Sequence, residues 1–305
     1  MNMIKKFLLS ALLVASLGFN GEAQKLTSNV GKVDNGYNFW LYTPDASIDD
    51  EVEAKPLVIF LHGASLCGND LNKVRRYGTI DAIEKGRKLD AYVVAPQNPG
   101  GSWNPDRIMN VVDYVTDNHN VDYDRIYVLG MSLGGYGTID LTASFPDRIA
   151  AAMAFCGGGT VKDLSGLNDV PLWIVHGTAD RAVSVSQSDK VVSALNSAAG
   201  GDAPRLIYDR IPGMNHSQPA RLFYLQESYD WLFSHTLKDK TRKPTDAFAI
   251  TNDLFRSAYK DLSAGTSSKK RKSSAKKSSS TSKKSTASAS KSKSKSKSKS
   301  SRRRS

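Results

Sequence analysis

Gly130-Met131-Ser132-Leu133-Gly134 sets a serine between two glycines, directly after the apolar run 125–129 and directly before a helix-like stretch. A serine in a sharp turn between strand and helix presents its hydroxyl as a nucleophile, and the flanking glycines remove Cβ atoms that would collide with the neighbouring backbone. The hydroxyl needs a base at neutral pH, and the base needs a carboxylate to orient it. Of the five histidines, His62 and His176 each end an apolar run before Gly, where packing or a loop hydrogen bond explains them. His119 closes a polar helix end, and His235 sits in the last long helix-like stretch. His216 lies in the short loop 212–217 that follows the apolar run 206–211, where a base belongs. For the carboxylate, Asp180 follows the run 172–175 within His176-Gly177-Thr178-Ala179-Asp180; Asp209, inside a strand pattern, is the weaker rival.

The tetrahedral intermediate of acyl transfer also requires two donors aimed at its oxyanion. One is expected from the N–H of Leu133, the residue after the nucleophile. The other is expected from the loop His62-Gly63-Ala64-Ser65, assigned to Ala64 with Gly63 second. Trp103, in the loop 98–106, reads equally as a substrate-stacking platform or as a loop anchor packed on the domain. The stretch between Phe155 and Trp173 has no room for a large cap, so an open site is expected, suited to ester bonds on bulky or polymer-linked substrates. The histidines lack short ligand spacings, and neither a phosphate-loop nor a dinucleotide-binding pattern is present. The chemistry needs no cofactor and no metal.

These groups require elements to hold them. Short apolar runs rich in branched residues at 57–61, 91–95, 125–129, 149–155, 172–175 and 206–211 read as strands buried on both faces. Helix-like stretches at 71–85, 107–118, 133–144, 186–199 and 218–235 lie between them, and 33–43 reads as a hairpin around Asp34-Asn35-Gly36. Alternation of this kind implies a doubly wound, mostly parallel α/β sheet with helices on both faces, whose functional groups gather at the carboxyl ends of the strands.

The segments LHGASLCGNDL, RIYVLGMSLGGYGTIDL, PLWIVHGTAD and GMNHS, with the chain order Ser132, Asp180, His216, resemble the secreted α/β-hydrolases grouped as esterases and predicted peptidases, near the phospholipase/carboxylesterase and dienelactone hydrolase groups. The resemblance covers roughly residues 52–235. It implies an α/β-hydrolase fold without a large cap, with Ser132 as nucleophile, Asp180 as acid and His216 as base. It also implies cleavage of carboxylic esters, with acetyl or feruloyl groups on a polysaccharide as the substrate guess. A prolyl oligopeptidase-like serine peptidase would use the same residues on an amide. The chain departs from the family where a Glu-Arg pair often follows the oxyanion glycine and Ser65-Leu66-Cys67 stands here.

Charge divides the chain. Sixteen Lys and Arg and no acid fall in residues 264–305, so the +12 of the whole chain becomes −4 over residues 1–263. Residues 1–23, with Lys5, Lys6 and the apolar run 7–19, read as a signal peptide cut after Ala23; the apolar run is too short to span a bilayer. Residues 24–263 form the catalytic domain, and 264–305 a disordered Lys/Ser-rich tail. The expectation is a secreted or periplasmic protein, surface-associated through the tail. That tail has no aromatic residue to stack on bases, so contact with nucleic acid, anionic surfaces or acidic polysaccharide would be sequence-blind. A polyanion-binding surface protein with a vestigial hydrolase domain is the third reading. Export would permit a disulfide between Cys67 and Cys156, and spacing leaves their pairing open.

Overall fold

Branched and aromatic residues in alternation build the sheet that positions the site. The computed structural model describes residues 25–45, 53–260 and 262. The expected signal segment and basic tail lie outside them. Eight strands are present among the described residues: β1 (Lys25–Asn29), β2 (Phe39–Thr43), β3 (Lys55–Leu61), β4 (Tyr92–Pro96), β5 (Val121–Met131), β6 (Ala151–Phe155), β7 (Leu172–Gly177) and β8 (Leu206–Ile211). They form one sheet in the order β1-β2-β4-β3-β5-β6-β7-β8. β1 and β2 pair antiparallel at one edge, β2 pairs antiparallel with β4, and the remaining pairs are parallel.

Six α-helices accompany the strands among the described residues: α1 (Thr79–Glu84), α2 (Pro105–Asn118), α3 (Leu133–Ser144), α4 (Ser186–Ala199), α5 (Gln226–Phe233) and α6 (Asn252–Ser257). Because side chains alternate along a strand, each central strand feeds two cores. Leu57, Ile59, Val128, Ala154 and Ile174 pack on the face covered by α2, α3 and α4. Val58, Phe60, Leu129, Phe155 and Trp173 pack on the face covered by α1, α5 and α6. The fold is the doubly wound sheet expected, and between β6 and β7 stands only a 3-10 turn (Ser165–Asp169), with no cap.

Three elements differ from expectation. The stretch 71–85 is two pieces, a 3-10 turn (Leu71–Arg76) and α1, interrupted at Tyr77-Gly78. Gly78 has φ 92°, and a Cβ there would lie 2.0 Å from the Phe60 ring, so the chain turns here to pass over the sheet. The stretch 218–235 divides likewise into a 3-10 turn (Gln218–Tyr224) and α5. The hairpin spans β1 and β2, so its first strand precedes the Asp34-Asn35-Gly36 turn by several residues.

Candidate active site

β5 runs into α3 through Ser132, whose φ of 59° and ψ of −121° lie outside the ordinary regions for an L-residue. Such a conformation costs about 1–3 kcal/mol and persists only where the surroundings enforce it. Here the Ser132 N–H is held by the Phe155 carbonyl at 2.8 Å, and the Ser132 carbonyl accepts from the Tyr136 N–H at 3.0 Å. The glycine framework permits the approach: a Cβ on Gly130 would lie 2.4 Å from the Gly134 carbonyl oxygen, and one on Gly134 would lie 1.9 Å from that of Leu61. Although Ser132 stands at the N-terminus of α3, its side chain does not cap the helix.

Asp180 and His216 sit on the loops after β7 and β8. The ring Nδ1 of His216 lies 2.6 Å from Asp180 Oδ2. Asp180 Oδ1 accepts the N–H groups of Ala182 and Val183 at 2.8 and 2.9 Å. The Asp180 side chain is fully buried, whereas that of His216 is 27 % exposed, so a carboxylate sealed from solvent holds an imidazole that reaches it. Burial alone would raise the Asp180 pKa. The Val183 N–H, the His216 ring and the Ala182 N–H outweigh it and hold the carboxyl below its usual range, ionised. The rival Asp209 is committed elsewhere, accepting the Trp173 indole N–H at 2.7 Å.

Behind Asp180 lies His176, fully buried, with Nε2 at 3.2 Å from Asp180 Oδ2 and 3.0 Å from the Val183 carbonyl. Its Nδ1 faces Ser188 Oγ at 2.8 Å, and Ser188 also reaches the Gly157 carbonyl. The sequence assigned His176 to packing or a loop hydrogen bond; the structure makes it a buttress of the acid loop. Cys156, also buried and with φ 49°, lies beside this group and points its thiol toward the His216 carbonyl at 3.9 Å. Cys156 and Cys67 are both free thiols. Donor atoms of Cys156, Asp180 and His216 fall within 4.8 Å of one another, a set that could in principle hold a metal ion. Burial and the adjacent Asp180 push the thiol pKa far up, however, and Asp180 and His216 are already bonded to each other. That donor set fits an acid–base pair better than an ion.

Ser132 and His216 line one cavity of about 440 Å³ together with Gly63, Ala64, Ser65, Tyr77 and Met131. On the far side of His216 it continues into an open groove of about 680 Å³, lined by Ala179, Arg181, Gly213 and Asn215. Ala64 and Leu133 each begin a helical turn, a 3-10 turn (Ala64–Leu66) and α3, so their N–H groups have no partner within it. Gly63, the second choice for the oxyanion, gives its N–H to the Tyr77 hydroxyl at 2.8 Å. His62 braces this loop: its Nδ1 faces the Gly63 carbonyl at 2.8 Å and its Nε2 accepts the Asn98 N–H at 3.1 Å. Burial lowers its pKa to about 4, so the ring is neutral.

Trp103 is not a platform. It is 4 % exposed, packs edge-on against Tyr37 and His62, and donates its indole N–H to the His62 carbonyl at 3.3 Å. The loop after β4 tucks under α3, where Gly137 leaves room for the indole, so the anchor reading holds.

The mostly parallel sheet, with a strained serine at the β5–α3 turn, an aspartate after β7 and a histidine after β8, is the α/β-hydrolase fold. Within it, residues 101–216 match the family model described as the dienelactone hydrolase family. Poly(3-hydroxyalkanoate) depolymerase C of Paucimonas lemoignei is 25% identical over 212 residues, covering 53% of this chain and 49% of that protein. Feruloyl esterase B of Neurospora crassa is 26% identical over 179 residues, covering 51% of this chain and 55% of that one. The chain thus spans about half the length of the curated relatives it matches. A crystal structure of a thermostable esterase superposes with a TM-score of 0.55 at 26% identity, over 70% of this chain and 63% of that one.

Proposed function

We propose that the protein is a serine hydrolase of carboxylic esters, with Ser132 as nucleophile, His216 as base and Asp180 as the residue that orients it. The observation that carries this reading is one arrangement: a strained, uncapped serine and a solvent-reaching histidine on the same cavity wall, the histidine tied at 2.6 Å to a buried carboxylate. With Nδ1 engaged by Asp180, His216 has Nε2 free to take the Ser132 proton as Oγ adds to the ester carbonyl. The negative charge that develops on the carbonyl oxygen is met by the N–H groups of Leu133 and Ala64. As the tetrahedral intermediate collapses, the C–O bond to the alcohol breaks and His216 returns the proton to the leaving oxygen. Water then enters, gives its proton to His216, adds to the acyl carbon and releases the acid, with the proton passing back to Ser132. Because the alcohol must leave beside His216, it occupies the groove at Arg181, Gly213 and Asn215.

That groove is open and no cap covers it among the described residues, which suits an ester attached to a polymer. Within the class, feruloyl or acetyl esters of a polysaccharide are the favoured substrates, in keeping with the relative that acts as a feruloyl esterase. Residues 1–23 would direct export, and the sixteen positive charges after residue 263 would hold the enzyme to polyanionic surfaces. No helix among the described residues is long and apolar enough to cross a membrane. The test is hydrolysis of p-nitrophenyl acetate through decanoate, methyl ferulate and a matched peptide anilide. Ester turnover lost in Ser132→Ala is expected; turnover confined to the anilide would replace the esterase by a peptidase.

A further inference from the structure

Tyr77 stands at the break between the 3-10 turn Leu71–Arg76 and α1, on the wall of the cavity that Ser132 and His216 share. Sequence gave it no role. Its phenol oxygen accepts the Gly63 N–H at 2.8 Å, and the Ser65 hydroxyl lies close enough to interact with it. With that lone pair taken, its O–H is left to donate, toward the Ser65 oxygen or into the cavity. A phenol that accepts from a backbone amide is polarised toward donating its own proton. The point that a Cβ of Gly63 would occupy lies 2.8 Å from the Tyr77 hydroxyl and 3.4 Å from Ser132 Cβ. The Tyr77 hydroxyl and Ser132 Cβ are therefore no more than about 6 Å apart on the wall of this cavity, with the Met131 carbonyl oxygen beside them. Burial raises the Tyr77 pKa; the titratable side chain acting on it, the Cys67 thiol, is itself pushed up by burial, so the hydroxyl keeps its proton.

We propose that the Tyr77 hydroxyl is a third oxyanion donor, giving its hydrogen bond to the ester carbonyl oxygen as Ser132 adds to the carbonyl carbon. The proposal rests on the serine-esterase reading. It also gives Gly63 a part: its N–H, spent on Tyr77, orients a donor instead of being one.

Tyr77→Phe keeps the ring and removes the hydroxyl. Loss of one oxyanion donor lowers kcat about 10²-fold, with KM for p-nitrophenyl acetate changed less than about twofold. Affinity for a phenylboronic acid, which forms a tetrahedral adduct on Ser132, falls by a similar factor. Replacing Tyr77 with 3,5-difluorotyrosine separates donation from scaffolding. The fluorinated phenol still accepts the Gly63 N–H, even when ionised, but an ionised phenol cannot donate. The expected result is a new alkaline fall in kcat at lower pH than in the natural enzyme. A Tyr77 that merely props the loop predicts no such fall. Full kcat in Tyr77→Phe, or an unmoved alkaline limb in the fluorinated enzyme, overturns the proposal. Ser132→Ala distinguishes the two levels: if it abolishes turnover while both Tyr77 variants keep theirs, only the Tyr77 inference fails, whereas turnover surviving in Ser132→Ala sinks the serine reading itself.

Discussion

Gly134→Ala is expected to damage both stability and catalysis, although Ala is the better helix former by about 1 kcal/mol and position 134 is inside α3. The added Cβ would lie 1.9 Å from the Leu61 carbonyl oxygen, 2.5 Å from its carbon and 2.9 Å from the His62 oxygen, all backbone atoms that no rotamer change can move aside. To reach an ordinary contact, α3 and the end of β3 must separate by roughly 1 Å, which for an overpacked core costs about 1–3 kcal/mol or more. The displaced segment carries Leu133 on one side and His62 to Ala64 on the other, so both proposed oxyanion N–H groups shift relative to Ser132. A 1 Å misplacement of this kind is worth about 10² in rate. Urea unfolding and ester kinetics on the variant would measure both terms. Gly201→Ala serves as the control, since nothing lies within 4 Å of a Cβ there and its φ is ordinary for an L-residue; it should be neutral or slightly stabilising. A Gly134→Ala enzyme with natural stability and kcat would refute the claim that this contact fixes the elbow.

Other expectations follow from the same geometry. His62, neutral with a folded pKa near 4 against about 6.5 unfolded, binds protons more readily in the unfolded chain, so stability falls as pH drops from about 6.5 to 4, by about 3 kcal/mol in total. Urea midpoints across that range check this, and His62→Gln should flatten the curve. Asp180→Asn removes the acceptor that fixes the His216 tautomer and should lower kcat by about 10⁴ while leaving the fold intact; a loss under tenfold would argue for another acid. Trp103→Ala should cost about 3–5 kcal/mol of stability by emptying a buried site. KM for methyl ferulate should change less than about twofold, whereas a raised KM at unaltered stability would restore the stacking role.

The candidate nucleophile, acid and base were legible as candidates because each lies in the loop just beyond a strand-like apolar run, and because the G-x-S-x-G turn constrains backbone as well as chemistry. Strand existence was equally readable, since successive residues are buried on opposite faces of the sheet, Ile59, Val128 and Ile174 on one and Val58, Leu129 and Trp173 on the other. What sequence could not supply was contact between distant loops. Trp103 looked like an active-edge residue, yet the cleft left by Gly137 draws it under α3. Tyr77 sat inside what reads as one helix, and the single hint of a break was the glycine at 78. His176 follows an apolar run in the same way as His62, and only the fold turns one ring toward Asp180 and the other toward the loop after β4.

The most direct test of the account is active-site titration with a fluorophosphonate, followed by peptide mass mapping. A single adduct on Ser132, forming in step with loss of ester turnover and absent in Ser132→Ala, is the expected result. Ester turnover that persists in fully labelled protein, or an adduct on another residue, would contradict the assignment of Ser132 as the nucleophile.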